Sequence, residues 1–377
     1  MIVRALLICA ATITVAVGSA CVPPPIPATP PGGPAATGPG ITTRTCNNGM
    51  DFANSVTVLN GQFDPSKLAP PTVSTSPLGQ ATPAFQDFSD AFDAAPKKFQ
   101  ALLCNTSVYV DPFAVTAWGF RNPNMTSQRF IGLPTGYWGG PSLTNHSPPL
   151  SLVEGTLLYN AFTTAVGAWD PTQAAFPYFN TATSSGNNAD TPGMAILAVL
   201  AHEYGHTLWF DDIARDKDPT PFCRAVASKK GDGFFDSSWS LPIYQPTNYW
   251  TPFGLVVGAH TTGLIQISTL QYDLSQIDYQ SLAYDMAALY SNDMDRSRRK
   301  GNGLWAGLFG AISPNEDFVE TFKIAILTDN KGSMPITSMA INFNDPVAPA
   351  TFKRDIYKDI ASGKKLVLGN KINCVKL

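Results

Sequence analysis

Residues 201–209 read Ala-His-Glu-Tyr-Gly-His-Thr-Leu-Trp and contain a His-Glu-x-x-His pattern. On a helix, His202 and His206 share one face. Their imidazoles can then hold a single Zn²⁺ by one nitrogen each, with Glu203 beside the ion's open position. Zinc lowers the pKa of a bound water to about 7, so Glu203 can take its proton at ordinary pH and later deliver it to a leaving amine. The chemistry implied is metal-assisted hydrolysis of an amide, with one zinc per chain as cofactor. Chance is a poor account of the pattern, because the chain holds four histidines and only four glutamates: Glu154, Glu203, Glu316 and Glu320. The bland alternative is a solvated polar helix face. It conflicts with the preceding run Met194–Ala201, apolar all round, which predicts a helix buried up to the point where the histidines begin.

A catalytic zinc needs three protein ligands plus water, so the chain must supply one more. The best candidate lies far downstream in Ser-Pro-Asn-Glu-Asp-Phe-Val-Glu-Thr-Phe, residues 313–322, which reads as the start of a second helix. Glu316 and Glu320 share one face of it. Glu316 would ligate the metal, and Glu320, one turn on, would accept a hydrogen bond from the far nitrogen of a ligand histidine and fix its tautomer. Ser313-x-x-Glu316 with Pro314 is also a capping box, which accounts for Glu316 but not for Glu320. Asp211, Asp212 and His260 are rival third ligands.

These stretches resemble the zincin metallopeptidases of the glutamate-ligand kind, the gluzincins. The pairing of His-Glu-Tyr-Gly-His with Glu-Asp-Phe-Val-Glu-Thr-Phe, residues 316–322, is most similar to the catalytic domain of anthrax lethal factor and its relatives. The resemblance implies His202, His206 and Glu316 as ligands, Glu203 as general base and Glu320 as a hydrogen-bond partner of a ligand. Phe309 stands where lethal factor has a tyrosine assisting the oxyanion, which leaves Tyr284 or Tyr290 as candidate donors. The Gly-x-x-His that metzincins place after the second histidine is missing, since Trp209 occupies the glycine position.

The chain begins with one arginine, Arg4, an apolar run over 5–17, and small residues Gly18-Ser19-Ala20. Residues 1–20 therefore read as a secretory signal peptide. Cys21 follows at once, as at a bacterial lipoprotein processing site, where the cysteine becomes the lipidated first residue. Cleavage after Ala20 without lipid is the other possibility. Cysteine parity favours lipid: with Cys9 lost and Cys21 modified, Cys46, Cys104, Cys223 and Cys374 are left for two disulfides in an exported protein. Residues 21–45 are proline-rich and almost uncharged, an extended tether that would hold the domain off a membrane.

The remainder, 46–377, reads as one metallopeptidase domain with an insertion at about 213–312. Net charge is −3 with no basic block, which disfavours nucleic acid as a partner. Residues 51–82 look irregular, interrupted by Pro65, Pro70, Pro71 and Pro77. A helix is expected over Phe85–Leu103, then strands at Ser107–Val110, Val115–Phe120 and Arg129–Leu133, the last as the sheet edge that pairs with an extended peptide. Leu152–Trp169 reads as a helix, and Thr191-Pro192 as the N-cap and first turn of the His202 helix. Further on, 263–267 suggests a strand and 281–290 a helix. Asp216, Asp218, Asp232 and Asp236 lack the ligand run of a calcium loop and read as turns. The fold class expected is α+β, a small mixed sheet with an active-site helix and a helical C-terminal part. The activity expected is a secreted or lipid-anchored zinc metallopeptidase acting on a peptide or protein. Alternatives are hydrolysis of a non-peptide amide and a non-enzymatic envelope lipoprotein that uses zinc for structure.

Overall fold

The computed structural model describes residues 44–122, 124–150, 152–153, 179–181, 191–208, 234, 306, 314–329, 338–343, 350–355, 367–375 and 377. The signal peptide, Cys21, most of the tether, Cys223, the 213–312 insertion except Phe234 and Ala306, the calcium candidates and the 263–267 and 281–290 elements lie outside these residues. So does all of the 152–169 helix beyond Val153.

Residues 51–82 are more ordered than their prolines imply. Helix α1 (Gly49–Ser55) starts at Asn48, whose side chain accepts the Asp51 N–H at 2.9 Å, and it buries Phe52 and Ala53. Strands β1 (Thr57–Leu59) and β2 (Thr75–Pro77) follow. The prolines fall in the connection between them and in β2, an edge strand, where a missing N–H is tolerated. Elements this short carry too little periodicity to be read without their partners.

The long helix expected over 85–103 is two helices, α2 (Pro83–Ala94) and α3 (Lys97–Cys104). Ala95, with ψ 147°, is forced out of the helical region by Pro96. Strands β3 (Ser107–Asp111), β4 (Trp118–Asn122) and β5 (Met125–Pro134) complete a mixed five-stranded sheet in the order β2-β1-β3-β5-β4. The β1–β3 and β3–β5 pairs are parallel and the two outer pairs antiparallel. Arg129–Leu133 is thus inside β5, flanked on both sides, and the edges are β2 and β4. The expectation failed because a run such as Phe130-Ile131-Gly132-Leu133, buried on both faces, marks an interior strand.

Alternation sorts the side chains of the sheet. Val108, Val110, Ile131 and Leu133 face the helices and join Phe88, Phe92 and Phe99 in the main core. Leu59, Trp118, Phe120 and Phe130 form a second cluster on the other face, covered by Phe63 and Val73. Behind the main core stands α4 (Pro192–Thr207). Thr191 caps it by accepting the Met194 N–H at 3.2 Å, and Pro192 opens it. Every residue from Gly193 to Ala201 is buried, as the apolar run requires.

Helix α4 packs between α2 and α5 (Pro314–Thr328), and α5 in turn against α6 (Val367–Val375). Lys371 of α6 and Asp317 of α5 form an ion pair with both side chains fully buried. A separate antiparallel sheet joins β6 (Phe179–Thr181), β7 (Ser338–Phe343) and β8 (Ala350–Asp355) in that order. A disulfide links Cys46 to Cys104 across 58 residues, tying the segment before α1 to the end of α3. Cys374 is disulfide-bonded as well. No helix among the described residues is long and apolar enough to cross a membrane.

Buried Asp87 of α2 fastens the chain that leaves β5. It accepts the Trp138 indole N–H at 3.0 Å and the Ser147 N–H at 2.7 Å, and it lies 2.6 Å from Nδ1 of His146.

Candidate metal centre

The last two turns of α4 bring His202 and His206 onto one face, with their Nε2 atoms 3.2 Å apart. The first turn of α5 brings Glu316 to the same point, although 110 residues separate it from His206. Its Oε2 lies 3.7 Å from His202 Nε2 and its Oε1 3.6 Å from His206 Nε2. The three residues offer ligand atoms that all lie within 4.8 Å of one another, the one such group among the described residues.

A tetrahedral ion with bonds of roughly 2.0–2.1 Å spaces its ligand atoms roughly 3.3 Å apart. The two nitrogens stand near that edge length, each carboxylate oxygen lies a few tenths of an ångström beyond it from one of them, and two imidazoles with one carboxylate form a donor set of catalytic zinc sites. The residues therefore fit a small divalent ion with one position open.

Glu320 stands one turn beyond Glu316, where its Oε1 lies 2.8 Å from His202 Nδ1. With Nδ1 donating to a carboxylate, Nε2 is the nitrogen left to face the metal. The other oxygen of Glu320, Oε2, accepts from Lys323 Nζ at 2.9 Å, and both side chains are almost wholly buried.

Electrostatics reveal what balances the site when no cation is bound. Burial works against a proton on His202, but the Glu320 hydrogen bond and the charges of Glu316, Glu203 and Glu320 outweigh it and push its pKa up to about 9. Burial and the adjacent His202 push His206 down to about 4. These opposed shifts favour the proton on His202 over His206, whose Nε2 faces that of His202. Burial would raise Glu320, yet the Lys323 charge and the His202 hydrogen bond draw it down to about 2. Burial lifts the Glu203 and Glu316 carboxyls above their usual range, opposed by the histidines near Glu203 and by His202 near Glu316.

Glu203 is buried at 6% exposure, and no hydrogen bond among the described residues engages its carboxylate. Its backbone touches the edge strand. A Cβ added to Gly119 of β4 would stand 2.1 Å from the Glu203 carbonyl oxygen, so only glycine lets β4 lie this close to the helix at the base.

His202, Glu203, His206, Glu316 and Glu320 are brought together as the sequence implied. Tyr284 and Tyr290, along with Asp211, Asp212, His260 and Phe309, lie outside the described residues. Sequence reasoning missed Gly119, Gly205 and Lys323. A glycine inside a helix costs about 1 kcal/mol relative to alanine, which was a signal that Gly205 has a packing role. Lys323, at i+3 from Glu320, was legible as a partner for that carboxylate.

Comparison of the chain with models of protein families, with curated proteins and with solved structures found no match.

Proposed function

We propose that this chain is a zinc-dependent metallopeptidase of the glutamate-ligand zincin kind, with His202, His206 and Glu316 as ligands and Glu203 as general base. The observation that carries the reading is the convergence of two Nε2 atoms and one carboxylate within 4.8 Å of one another, at the helix that also bears Glu203. A zinc ion held there supplies Lewis acidity, polarising the scissile carbonyl and acidifying the attacking water.

Glu203 takes the proton from that water and passes it to the departing nitrogen. A carboxyl raised by burial is a stronger base than an exposed one, and its protonated form is still far more acidic than the ammonium it creates on the departing nitrogen, so both halves of the transfer are served. Glu320 keeps His202 in the tautomer that presents Nε2. An extended peptide would add itself as a strand beside β4, the last strand of the sheet, and Gly119 sets that strand directly against the residue carrying the base. Tyr284 or Tyr290 would supply the oxyanion donor. The Cys46–Cys104 disulfide supports an oxidising compartment, in keeping with an exported protein anchored by a lipid on Cys21 or released.

The test uses the purified full chain and Glu203→Gln, assayed for bound metal and for cleavage of a peptide library. The expected result is one zinc per chain in both, with cleavage by the parent and a loss of at least roughly a thousandfold in the variant. Absence of stoichiometric metal, or a variant as active as the parent, would overturn the proposal. Metal without peptide cleavage, but with release from a non-peptide amide, would redirect the substrate class.

A further inference from the structure

We infer that Lys323 is a positioning residue of the metal centre, acting on His202 through Glu320. The inference rests on the metal-site reading above and concerns residues that no ligand list would include.

Three residues in series carry it. Lys323 Nζ lies 2.9 Å from Glu320 Oε2, and Glu320 Oε1 lies 2.8 Å from His202 Nδ1. Each oxygen of the Glu320 carboxylate is therefore held by a different cation or donor. A carboxylate held by one oxygen alone turns readily about its last torsion, whose energy profile is broad. Held at both, its plane is fixed, and with it the direction from which Oε1 meets the His202 ring. That direction sets the ring plane, and the ring plane aims the Nε2 lone pair.

Burial makes the contact more than an ordinary i,i+3 surface pair. Lys323 is 5% exposed and Glu320 1%. Exposed pairs of this spacing contribute little, whereas an amine buried beside a carboxylate is held there because separation would leave both charges stranded. Glu316 lies on the preceding turn of the same helix, and its charge repels Glu320. Lys323 offsets that repulsion and keeps Glu320 turned toward His202, where rotation away would otherwise relieve it.

Among the described residues the ion-pair partner of Lys323 is Glu320 and not a candidate ligand, so its effect must be read on the metal. Zinc affinity by chelator competition and the visible absorption of the cobalt(II) form are measured for the full chain, Lys323→Met, Glu320→Gln and the double variant. Lys323→Met is expected to bind zinc roughly 10–100-fold more weakly, the range for removing an outer hydrogen-bond partner, and to shift the cobalt bands. In the double variant the second change is expected to add little to the loss caused by Glu320→Gln, because the hydrogen-bonded route from Lys323 to the histidine runs through that carboxylate and only its weaker charge effect reaches Glu316 directly.

Parent-like zinc affinity with an unchanged cobalt spectrum in Lys323→Met would overturn the inference. So would losses that multiply in the double variant. Should Lys323→Met fail to fold, the double variant, which has lost both charges, carries the test against Glu320→Gln alone: near-equal affinity supports the inference and a large further loss overturns it. A parent chain that binds no zinc sinks the metal centre itself, a result distinct from any of these.

Discussion

Gly205 of α4 lies against Val319 of α5, so close that a Cβ on the glycine would stand 3.3 Å from both Cα and Cγ1 of the valine. This is the point where the two helices that carry the candidate ligands touch, one residue before His206 and three after Glu316. The absence of a side chain lets α5 approach until the Glu316 carboxylate reaches both imidazoles.

Gly205→Val tests that approach. The branched side chain must push Val319 and α5 outward, and overpacking of this kind costs about 1–3 kcal/mol. Displacement also draws Glu316 off the histidines, so zinc affinity is expected to fall by more than roughly tenfold, the factor for losing about 1.4 kcal/mol of binding. Chelator competition and thermal melting of the metal-free chain read the two effects separately. Unchanged zinc affinity would show that the glycine does not set the distance. Gly205→Ala is expected to do much less, since the gain in helix propensity of about 1 kcal/mol offsets most of a contact that only needs a few tenths of an ångström of relief.

The site was legible because its residues sit in two short local patterns, at i and i+4 on α4 and on α5. Helical geometry alone places each set on one face. That the two helices meet was a chemical inference, drawn from the ligand count a catalytic zinc needs. What was not legible depended on contacts across the fold. Strand order decides whether Arg129–Leu133 is an edge, and no local pattern fixes that order; the buried character of Gly132 and Leu133 was the only hint. The break at Ala95-Pro96 was written in the sequence and overridden by the apolar pattern on both sides of it. Gly119 could not have been singled out, because its meaning lies in the Glu203 carbonyl, 84 residues away.

Gly119→Ala follows from that contact. A methyl group 2.1 Å from the Glu203 carbonyl oxygen meets helix backbone, which no rotamer change can relieve. The strand must lift from the helix, at a cost of about 2–3 kcal/mol in stability. Because β4 is the strand on which substrate is expected to align, kcat/KM of the zinc-loaded protein should fall, while zinc affinity stays close to the parent value. A variant with parent-like Tm and kcat/KM would contradict the account of β4.

Asp87 offers the complementary case, a buried carboxylate remote from the ligands in the chain. Asp87→Ala strips the acceptor from the buried Trp138 indole and Ser147 amide, leaving both donors unsatisfied, and releases the exposed His146 ring. Hydrogen bonds to a charged group contribute about 1.5–3 kcal/mol each, and the losses are not additive, so a destabilisation of about 3 kcal/mol is expected in urea unfolding. Zinc affinity of the folded variant should stay within roughly threefold of the parent, on the view that mutations distant from one another act independently. A large loss of zinc affinity at full stability would instead connect this loop to the metal centre.

Acid–base linkage gives the last expectation, and its sign can be followed group by group. His202, raised from 6.5 to about 9, stabilises the metal-free fold fully below pH 6.5 and loses that contribution as pH rises toward 9. His206, depressed from 6.5 to about 4, takes its proton more readily when unfolded, so stability falls as pH drops from 6.5 toward 4. Glu320, depressed from 4.5 to about 2, adds a further loss between those values. For these groups the metal-free protein is most stable near pH 6.5 and weaker on either side. Zinc requires His202 without its Nε2 proton, so binding at pH 7 should expel about one proton, and apparent affinity should rise about tenfold per pH unit between about pH 7 and 8. Calorimetric titrations with zinc in two buffers of different ionisation enthalpy count that proton directly. A heat independent of buffer would mean that His202 is already neutral before the metal arrives.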